Sequence, residues 1–341
     1  MPKPLTEARA ALRHSLAAAL PQGGEAAVCF SGGLDSTVLL HLARAAAPAG
    51  VALRAIHVNH GLQPEADAWA ARCRATASAW DIPCEVARAK VAARPAASLE
   101  NRARQARLRI WRRQSCPVLL MAHHADDQAE TVLLRALRGS GPHGLAAMRP
   151  SAPLPGGSQL LLRPLLACAR RELEEYALAA GLDGVADPAN RDLRHNRNWL
   201  RHELLPALEQ RFPGAGAALR RSAELARESG ALLDELAAAD DETCRSGPAR
   251  YSRAALRRLG WQRAKNWLRW SIVRAGRQPP QAAHLEEAAR QLCSASAGFG
   301  QRFGPLELQG TGRHVSWRPA AAGPIGRIAV TRSKKQSKQE S

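Results

Sequence analysis

The sequence is poor in the residues that staple or span. Its seven cysteines are scattered, and the nearest two, Cys73 and Cys84, stand eleven positions apart. That spacing excludes CxxC redox motifs, zinc knuckles and iron–sulfur ligand sets. The longest apolar runs are broken by Arg or Pro within about ten residues, short of the ~20 a membrane helix needs. The opening "MPKPLTEARA" has no signal-peptide pattern. The expectation is a cytoplasmic chain with reduced thiols and no membrane partner. Aromatics make up only 4% of the residues, and acids are outnumbered, 30 against 49 Lys and Arg, for a net charge of +19. Such an excess suits a partner carrying many phosphates, either nucleic acid or a membrane surface.

What is present alternates between strand and helix. "AAVCF", "VALRAIHVN" (51–59), "IPCEVARA" and "PVLLMAH" (117–123) read as strands. Between them lie helices from "STVLLHLARAAA", from residues 64–80 opened by Pro64, and from Ser98 to about Gln114; "ADDQAETVLLRALRG" follows. Repeated βα units predict a parallel sheet with helices on both faces and ligands at the strands' carboxyl ends. Residues 140–158 read as a loop, "QLLLRPLL" as an edge strand, and 169–180, 197–211 and 215–239 as helices. Residues 241–250 read as a linker; helices near 252–275 and 281–293 and strand-like pieces near 305–318 come after it.

"AAVCFSGGLDST" (26–37) reads as strand, turn and helix. Gly32 and Gly33 allow a sharp turn that aims successive N–H groups at one anion; Ser31, Ser36 and Thr37 add hydroxyls. The following helix offers its positive end. No Walker lysine is in place, and Asp35 beside an anion makes sense only if Mg²⁺ bridges the two.

Ser-Gly-Gly-x-Asp-Ser resembles the pyrophosphate loop of the ATP pyrophosphatases. Four further stretches narrow the resemblance: "HVNHGL" (57–62), "SLENRARQARLRIW" (98–111), "AHHADDQAETVLLRALRGSGPHGLAAM" (122–148), and the run from "RPLL" through "RNWLRHELLPALEQRFP" (163–213). Together they resemble the tRNA(Ile)-lysidine synthetase family over roughly 25–240. The fold this implies is α/β, a Rossmann-like parallel sheet of the adenine nucleotide alpha hydrolase type, then a smaller, mainly helical domain. Its implied domains are a catalytic one at 1–213, a connecting helix at 214–240, a tRNA-binding one at 241–328 and a disordered basic tail at 329–341.

The resemblance implies that ATP, with Mg²⁺ on Asp35 and Asp127, is held by Ser31, Gly32, Gly33, Leu34, Asp35, Ser36 and Thr37, with His57 and His60 beside the nucleotide. It places catalysis on Asp35, Arg104, His123, Asp127 and Glu130. The partners implied are L-lysine and the tRNA(Ile) whose anticodon is CAU; a homodimer is also considered. The cytidine O2 would attack the α-phosphate, pyrophosphate would leave, and the lysine amine would displace AMP, guided by Glu130 or Asp127, changing the codon read from AUG to AUA.

The residues themselves are compatible with these roles. Arg104 and Arg107 share a helical face with Leu108 and Trp111, where a guanidinium needs an anion; pairing of Arg104 with Glu100 is the structural alternative. Glu130 lines up with Leu133, Leu134 and Leu137, so helix-terminus stabilisation, sufficient for Asp126, does not explain it. His57 and His60 are equally readable as strand-end histidines. His123 and His124 lack a third zinc ligand in register.

Arg197 and Arg201, one turn apart, are read either as RNA or substrate-phosphate contacts or as a solvated face; Trp199 stands where the family usually has an aliphatic residue. Residues 245–277 hold ten Lys or Arg and no acid, interleaved with Trp261, Trp267 and Trp270. Arg263, Lys265 and Arg269 are the tRNA contacts expected there, with the tryptophans read first as core. Longer family members carry a further C-terminal domain that this sequence is expected to lack or to have reduced. Two rivals stand beside this reading. A tRNA thiolase would need a cysteine pair or cluster, and a non-catalytic RNA-binding protein would have little reason to keep Asp35, Arg104 and Glu130 together.

Overall fold

The computed structural model describes residues 3–90, 99–185, 187–277, 280–294 and 298–320. Two compact units divide at Arg227/Glu228. The first runs α1 (Lys3–Ala19), β1 (Gly24–Cys29), α2 (Leu34–Ala46), β2 (Val51–Asn59), α3 (Ala66–Ser78), β3 (Cys84–Arg88), α4 (Leu99–Arg112), β4 (Val118–Leu120), α5 (Ala125–Ala136) and α6 (Pro142–Leu145). It continues with β5 (Ser151–Pro153), β6 (Leu160–Leu162), α7 (Arg170–Ala179), α8 (Asn196–Trp199), a π-helical turn at Leu200–Leu204 and α9 (Leu205–Arg211). α10 (Ala215–Cys244) crosses the boundary between the units as one helix.

The sheet of the first unit has the order β3-β2-β1-β4-β6-β5, parallel except for β5. Alternate side chains of β1 serve its two faces. Ala26 and Val28 join the core that Leu5, Leu12 and Leu16 of α1, Val38 and Leu42 of α2, and Leu173 of α7 complete. Ala27 faces the other way, to Ile56, Leu119 and Leu108 of α4. The chain winds outward from β1 to β3, then returns to the opposite side of β1 to form β4. The carboxyl ends of β1 and β4 therefore flank a topological switch point, where such sheets open a crevice.

Several expectations are corrected. α1 was not anticipated: Pro4 disguised it, yet proline is tolerated in a first helical turn, and Leu5, Ala8, Leu12 and Leu16 form its buried stripe. Within 140–158 lie the single turn α6 and the strand β5, so β6 is flanked on both sides and β5 is the true edge. The helix expected over 197–211 is broken by the π turn, where Leu205 donates to the Leu200 carbonyl because Pro206 has no N–H for His202. Ser98, the expected cap of α4, and the tail 329–341 lie outside the described residues.

The second unit contains the rest of α10, β7 (Arg245–Gly247), β8 (Arg250–Ser252), α11 (Arg253–Arg258), α12 (Gly260–Arg274), α13 (Ala282–Ser294), β9 (Phe299–Phe303), β10 (Leu306–Gly310) and β11 (His314–Pro319). The expected linker at 241–250 is instead the end of α10 and a β7–β8 hairpin. The five strands form a small antiparallel sheet, β7-β8-β11-β10-β9, beside the helices that make up most of the unit. Trp267, Leu268 and Ile272 of α12 pack with Leu292, Phe299, Leu308 and Val315 in its core. Among the described residues no helix is long and apolar enough to cross a membrane.

Candidate active site

The loop between β1 and α2 is shaped by backbone geometry. Gly32 sits at φ +84, and a Cβ there would come 2.7 Å from the Cys73 sulfur, so only glycine fits. The hydroxyls of Ser36 and Thr37 turn inward to the Gly33 carbonyl at 2.9 and 3.1 Å, and Ser31 Oγ lies 3.0 Å from Ser36 Oγ. In this state they brace the turn. Leu34 begins α2, with Asp35 in its first turn. The loop is buttressed from outside: Val185 donates to the Gly32 carbonyl at 2.8 Å, and Gly184 packs against the backbone of Leu34 so closely that a Cβ would overlap it.

Across the crevice, β4 leads into His123 and the cap of α5. The Nδ1 atom of His124 accepts the Asp126 N–H, and the backbone N–H of His124 donates to Asp127 Oδ2 at 3.1 Å, closing a capping box. With Nδ1 an acceptor, Nε2 carries the proton and faces Asp127 Oδ2 at 3.4 Å and Asp35 Oδ2 at 3.7 Å. His124 thus stands between the phosphate loop and α5. Asp126 has a different task, accepting the Arg170 N–H at the start of α7.

Glu130 is 0% exposed, and two guanidiniums close over it. Arg201 Nε donates to Glu130 Oε1 at 2.6 Å, and its terminal nitrogen donates to Asp127 Oδ1 at 2.9 Å. Arg197 Nε lies 3.4 Å from Glu130 Oε2, and a terminal nitrogen donates to the Thr131 hydroxyl. One turn apart, Arg197 and Arg201 reach the same carboxylate. Both side chains turn to these carboxylates, unlike a plain solvated face.

These neighbours set the charge states. Burial raises the Asp35 carboxyl, helped by Asp127, and His124, Arg170 and Arg201 only partly oppose it. Burial raises Glu130 too, despite Arg201. It would raise Asp127 as well, but His124, His123, Arg197 and Arg201 outweigh it and hold that carboxyl low. Against its own desolvation, Arg201 is held above its usual value by Glu130, Asp127 and Asp35. Burial, with Arg163, Arg197 and Arg104 nearby, brings His123 down to about 4 against the pull of Asp127. Arg104 is exposed and close enough to act on His123, Arg135 and Arg163; no ion pair ties it down among the described residues.

At the end of β2, His57 Nδ1 donates to the Phe30 carbonyl at 3.0 Å, a structural bond that also sits 3.3 Å from the Cys73 sulfur. His60 differs: both ring nitrogens are buried without a partner, and burial, then Arg107 and His57, bring it down to about 4. Asp35 Oδ1 and His123 Nδ1 are orphaned in the same way. The tRNA contacts expected from the basic stretch are engaged elsewhere in the second unit. Arg263 pairs with Asp240, Arg269 with Asp234, and Lys265 lies 3.4 Å from Glu286. Sequence reasoning missed His124 and the carboxylate role of Arg197 and Arg201. The only signal for the first was the doubled histidine before the acidic turn.

A glycine turn at the switch point of a parallel sheet, with a carboxylate at the helix N-terminus and no lysine, defines a PP-loop nucleotide-binding domain, and residues 6–208 match the PP-loop domain family. The relative from Alkalilimnicola ehrlichii named tRNA(Ile)-lysidine synthase is 48% identical over 271 residues, covering 79% of this chain and 60% of the relative. One of the same name from Pseudomonas aeruginosa is 42% identical over 322 residues, covering 89% and 72%. The chain belongs to the tRNA(Ile)-lysidine synthase family. It spans 60% and 66% of the lengths of the relatives from A. ehrlichii and Aromatoleum aromaticum. Among solved structures, a U34-tRNA thiolase from Methanococcus maripaludis shares the fold, with TM-score 0.53, 20% identity, and 66% and 80% of the two chains covered.

Proposed function

We propose that this chain joins L-lysine to C2 of the wobble cytidine of tRNA(Ile) bearing a CAU anticodon, using ATP, and so changes the codon read from AUG to AUA. The observation that carries the reading is the meeting of the PP-loop carboxylate Asp35 with the His124–Asp127–Glu130–Arg201 cluster at one switch-point crevice. ATP presents its phosphates to the Gly32–Gly33 turn and the start of α2. Asp35 and Asp127 are the residues to hold Mg²⁺. The orphaned Asp35 Oδ1 fits that ion, and one or two carboxylates plus substrate oxygens are its usual set. When bound, the ion would neutralise phosphate charge.

The chain's own residues divide the remaining work. Arg104 and the loop N–H groups stabilise charge developing at the α-phosphate as the cytidine O2 attacks and pyrophosphate leaves. Glu130 and Asp127, held by Arg197 and Arg201, orient the lysine amine that displaces AMP. His60 offers its unpartnered nitrogens to the nucleotide. Residues 1–227 carry the chemistry and 228–320 contact RNA, in a cytoplasmic enzyme.

A thiolase reading finds no support in the cysteines. All seven are free thiols, and burial pushes Cys73 up to about 12, Cys168 up to about 11 and Cys29 higher still, far from thiolates at neutral pH. The deciding experiment incubates the protein with radiolabelled lysine, ATP and purified tRNA(Ile) with a CAU anticodon, then analyses nucleosides and nucleotides. Lysidine, AMP and pyrophosphate are expected. ADP and orthophosphate, or an unmodified cytidine, would remove the proposal.

A further inference from the structure

The second unit contains a cavity of about 370 Å³ that the chemistry above does not use. That size lies within the ~300–1,000 Å³ of ordinary small-ligand sites. Its walls are aromatic and cationic: Trp270, Trp317 and Tyr251, with Arg245 and Arg274 beside them. The Arg274 guanidinium lies 4.9 Å from the Trp270 ring centroid, and Arg245 lies 5.4 Å from that of Tyr251. Asp241 lies at the cavity but is already spent, accepting from Trp267 Nε1 at 2.9 Å and from Arg245. Glu242, exposed, is the remaining acid. The Nε1 donor of Trp317 is buried without an acceptor.

Two features separate this cavity from ordinary core. Trp267, fully buried, completes the unit's interior, whereas Trp270 and Trp317 are only half-buried and show ring surface to the cavity. The orphaned indole N–H also asks for an acceptor that no side chain supplies, and burying a donor unmet is costly. A flat, π-faced ligand carrying a ring nitrogen or carbonyl oxygen meets both needs. Arg274, exposed and without a carboxylate partner among the described residues, adds attraction for a phosphate attached to that ligand.

We propose that the cavity receives an unstacked nucleobase of the RNA substrate, stacked on Trp270 and hydrogen-bonded by Trp317 Nε1, with Arg274 on the adjoining phosphate. This rests on the reading of the substrate as RNA. It assigns RNA recognition in the second unit to an aromatic pocket, where the basic stretch had suggested Arg263, Lys265 and Arg269. Stacking of a base on an aromatic ring needs no particular sequence, so the pocket grips an unpaired position without reading its identity.

The test uses the full chain and purified tRNA, with a blunt RNA duplex of equal charge as the control. Trp270→Ala should weaken tRNA binding about 5- to 100-fold, leave duplex binding unchanged, and raise KM for tRNA with little change in kcat. Trp270→Phe, which keeps a stacking face, should recover most of the loss and guards against a folding artefact. Trp317→Phe should cost about 2- to 10-fold. Unchanged tRNA affinity in Trp270→Ala, or equal losses for tRNA and duplex, would overturn the proposal. So would quenching of tryptophan fluorescence by free AMP or CMP in wild type with tRNA affinity insensitive to Trp270, which would make a free nucleotide the occupant. Lysidine formation by wild type is scored separately; a Trp270-dependent loss of tRNA affinity stands even if that activity is absent.

Discussion

Both units of the molecule contain a nest of guanidiniums and carboxylates, and the two nests are built to opposite ends. In the second unit Arg245, Arg263 and Arg269 meet Asp241, Asp240 and Asp234, all from α10. Asp240 is 1% exposed, and Arg253, equally buried, spends its donors on the carbonyls of Thr311 and Gln291. These carboxylates are met inside the unit, with the Nε atom of Arg269 left over. At the crevice of the first unit, Arg197 and Arg201 likewise cover Asp127 and Glu130, but around them Asp35 Oδ1, His123 Nδ1 and both nitrogens of His60 lack partners. Unmet hydrogen-bonding capacity, more than density of charge, marks where a ligand belongs.

The comparison can be broken most severely at Asp35. Asp35→Asn should abolish pyrophosphate release while the circular dichroism spectrum and melting stay as in wild type, since the residue has no structural bond on its orphaned oxygen. Retained turnover at limiting Mg²⁺ would place it with the self-satisfied groups of the second unit.

Next comes Arg104, an exposed cation whose charge is felt at His123. Arg104→Ala should lower the adenylation rate about 10²–10³-fold, as loss of a charge-stabilising donor does. Arg109→Ala removes only a surface bond to the Lys90 carbonyl and should stay within about twofold. Equal small losses in pyrophosphate release would show that the α4 face does not matter.

The self-satisfied pairs predict a smaller, different effect. Arg269→Gln should lower Tm by about 2–4 °C with little change in how tRNA affinity depends on salt. Arg258→Gln and Arg277→Gln, which remove exposed cations with no ion pair among the described residues, should each flatten the log–log salt slope by roughly 0.7–0.9 if they touch phosphate. Identical slopes for all three variants would erase the distinction between paired and free cations.

The smallest effect is a titration. His60 has a folded pKa of about 4 against an ordinary 6.5, so between those values the unfolded chain binds more protons. Stability owed to the neutral ring is complete above pH 6.5 and is lost as pH falls towards 4. His60→Gln should flatten that part of the denaturation profile of the ligand-free protein. An unchanged slope would mean that the ring is not held neutral by burial.

How much could be read in advance follows from how local each feature is. The phosphate loop occupies seven consecutive residues whose types are forced by a turn, a helix start and an anion, so Gly32, Gly33 and Asp35 announced themselves. The βα alternation was as plain, because burial on two sheet faces demands it. The carboxylate partners of Arg201 could not be read locally, because they lie 71 and 74 positions away. The acid-free stretch 245–277 looked like an open electrostatic surface for the same reason: the acids that meet Arg245, Arg263 and Arg269 sit on α10 and the one beside Lys265 on α13, outside the window. The broken helix at 200–204 needed the structure too, although Pro206 was its cause. The sequence by itself determined the fold class, the phosphate loop and the family, because each rests on contiguous residues obeying backbone geometry and hydrophobic period. Only the tertiary structure decided which arginines are spent, that His124 stands between loop and helix, and which donors and acceptors remain open, because pairing across distant segments is settled by packing and leaves no local trace.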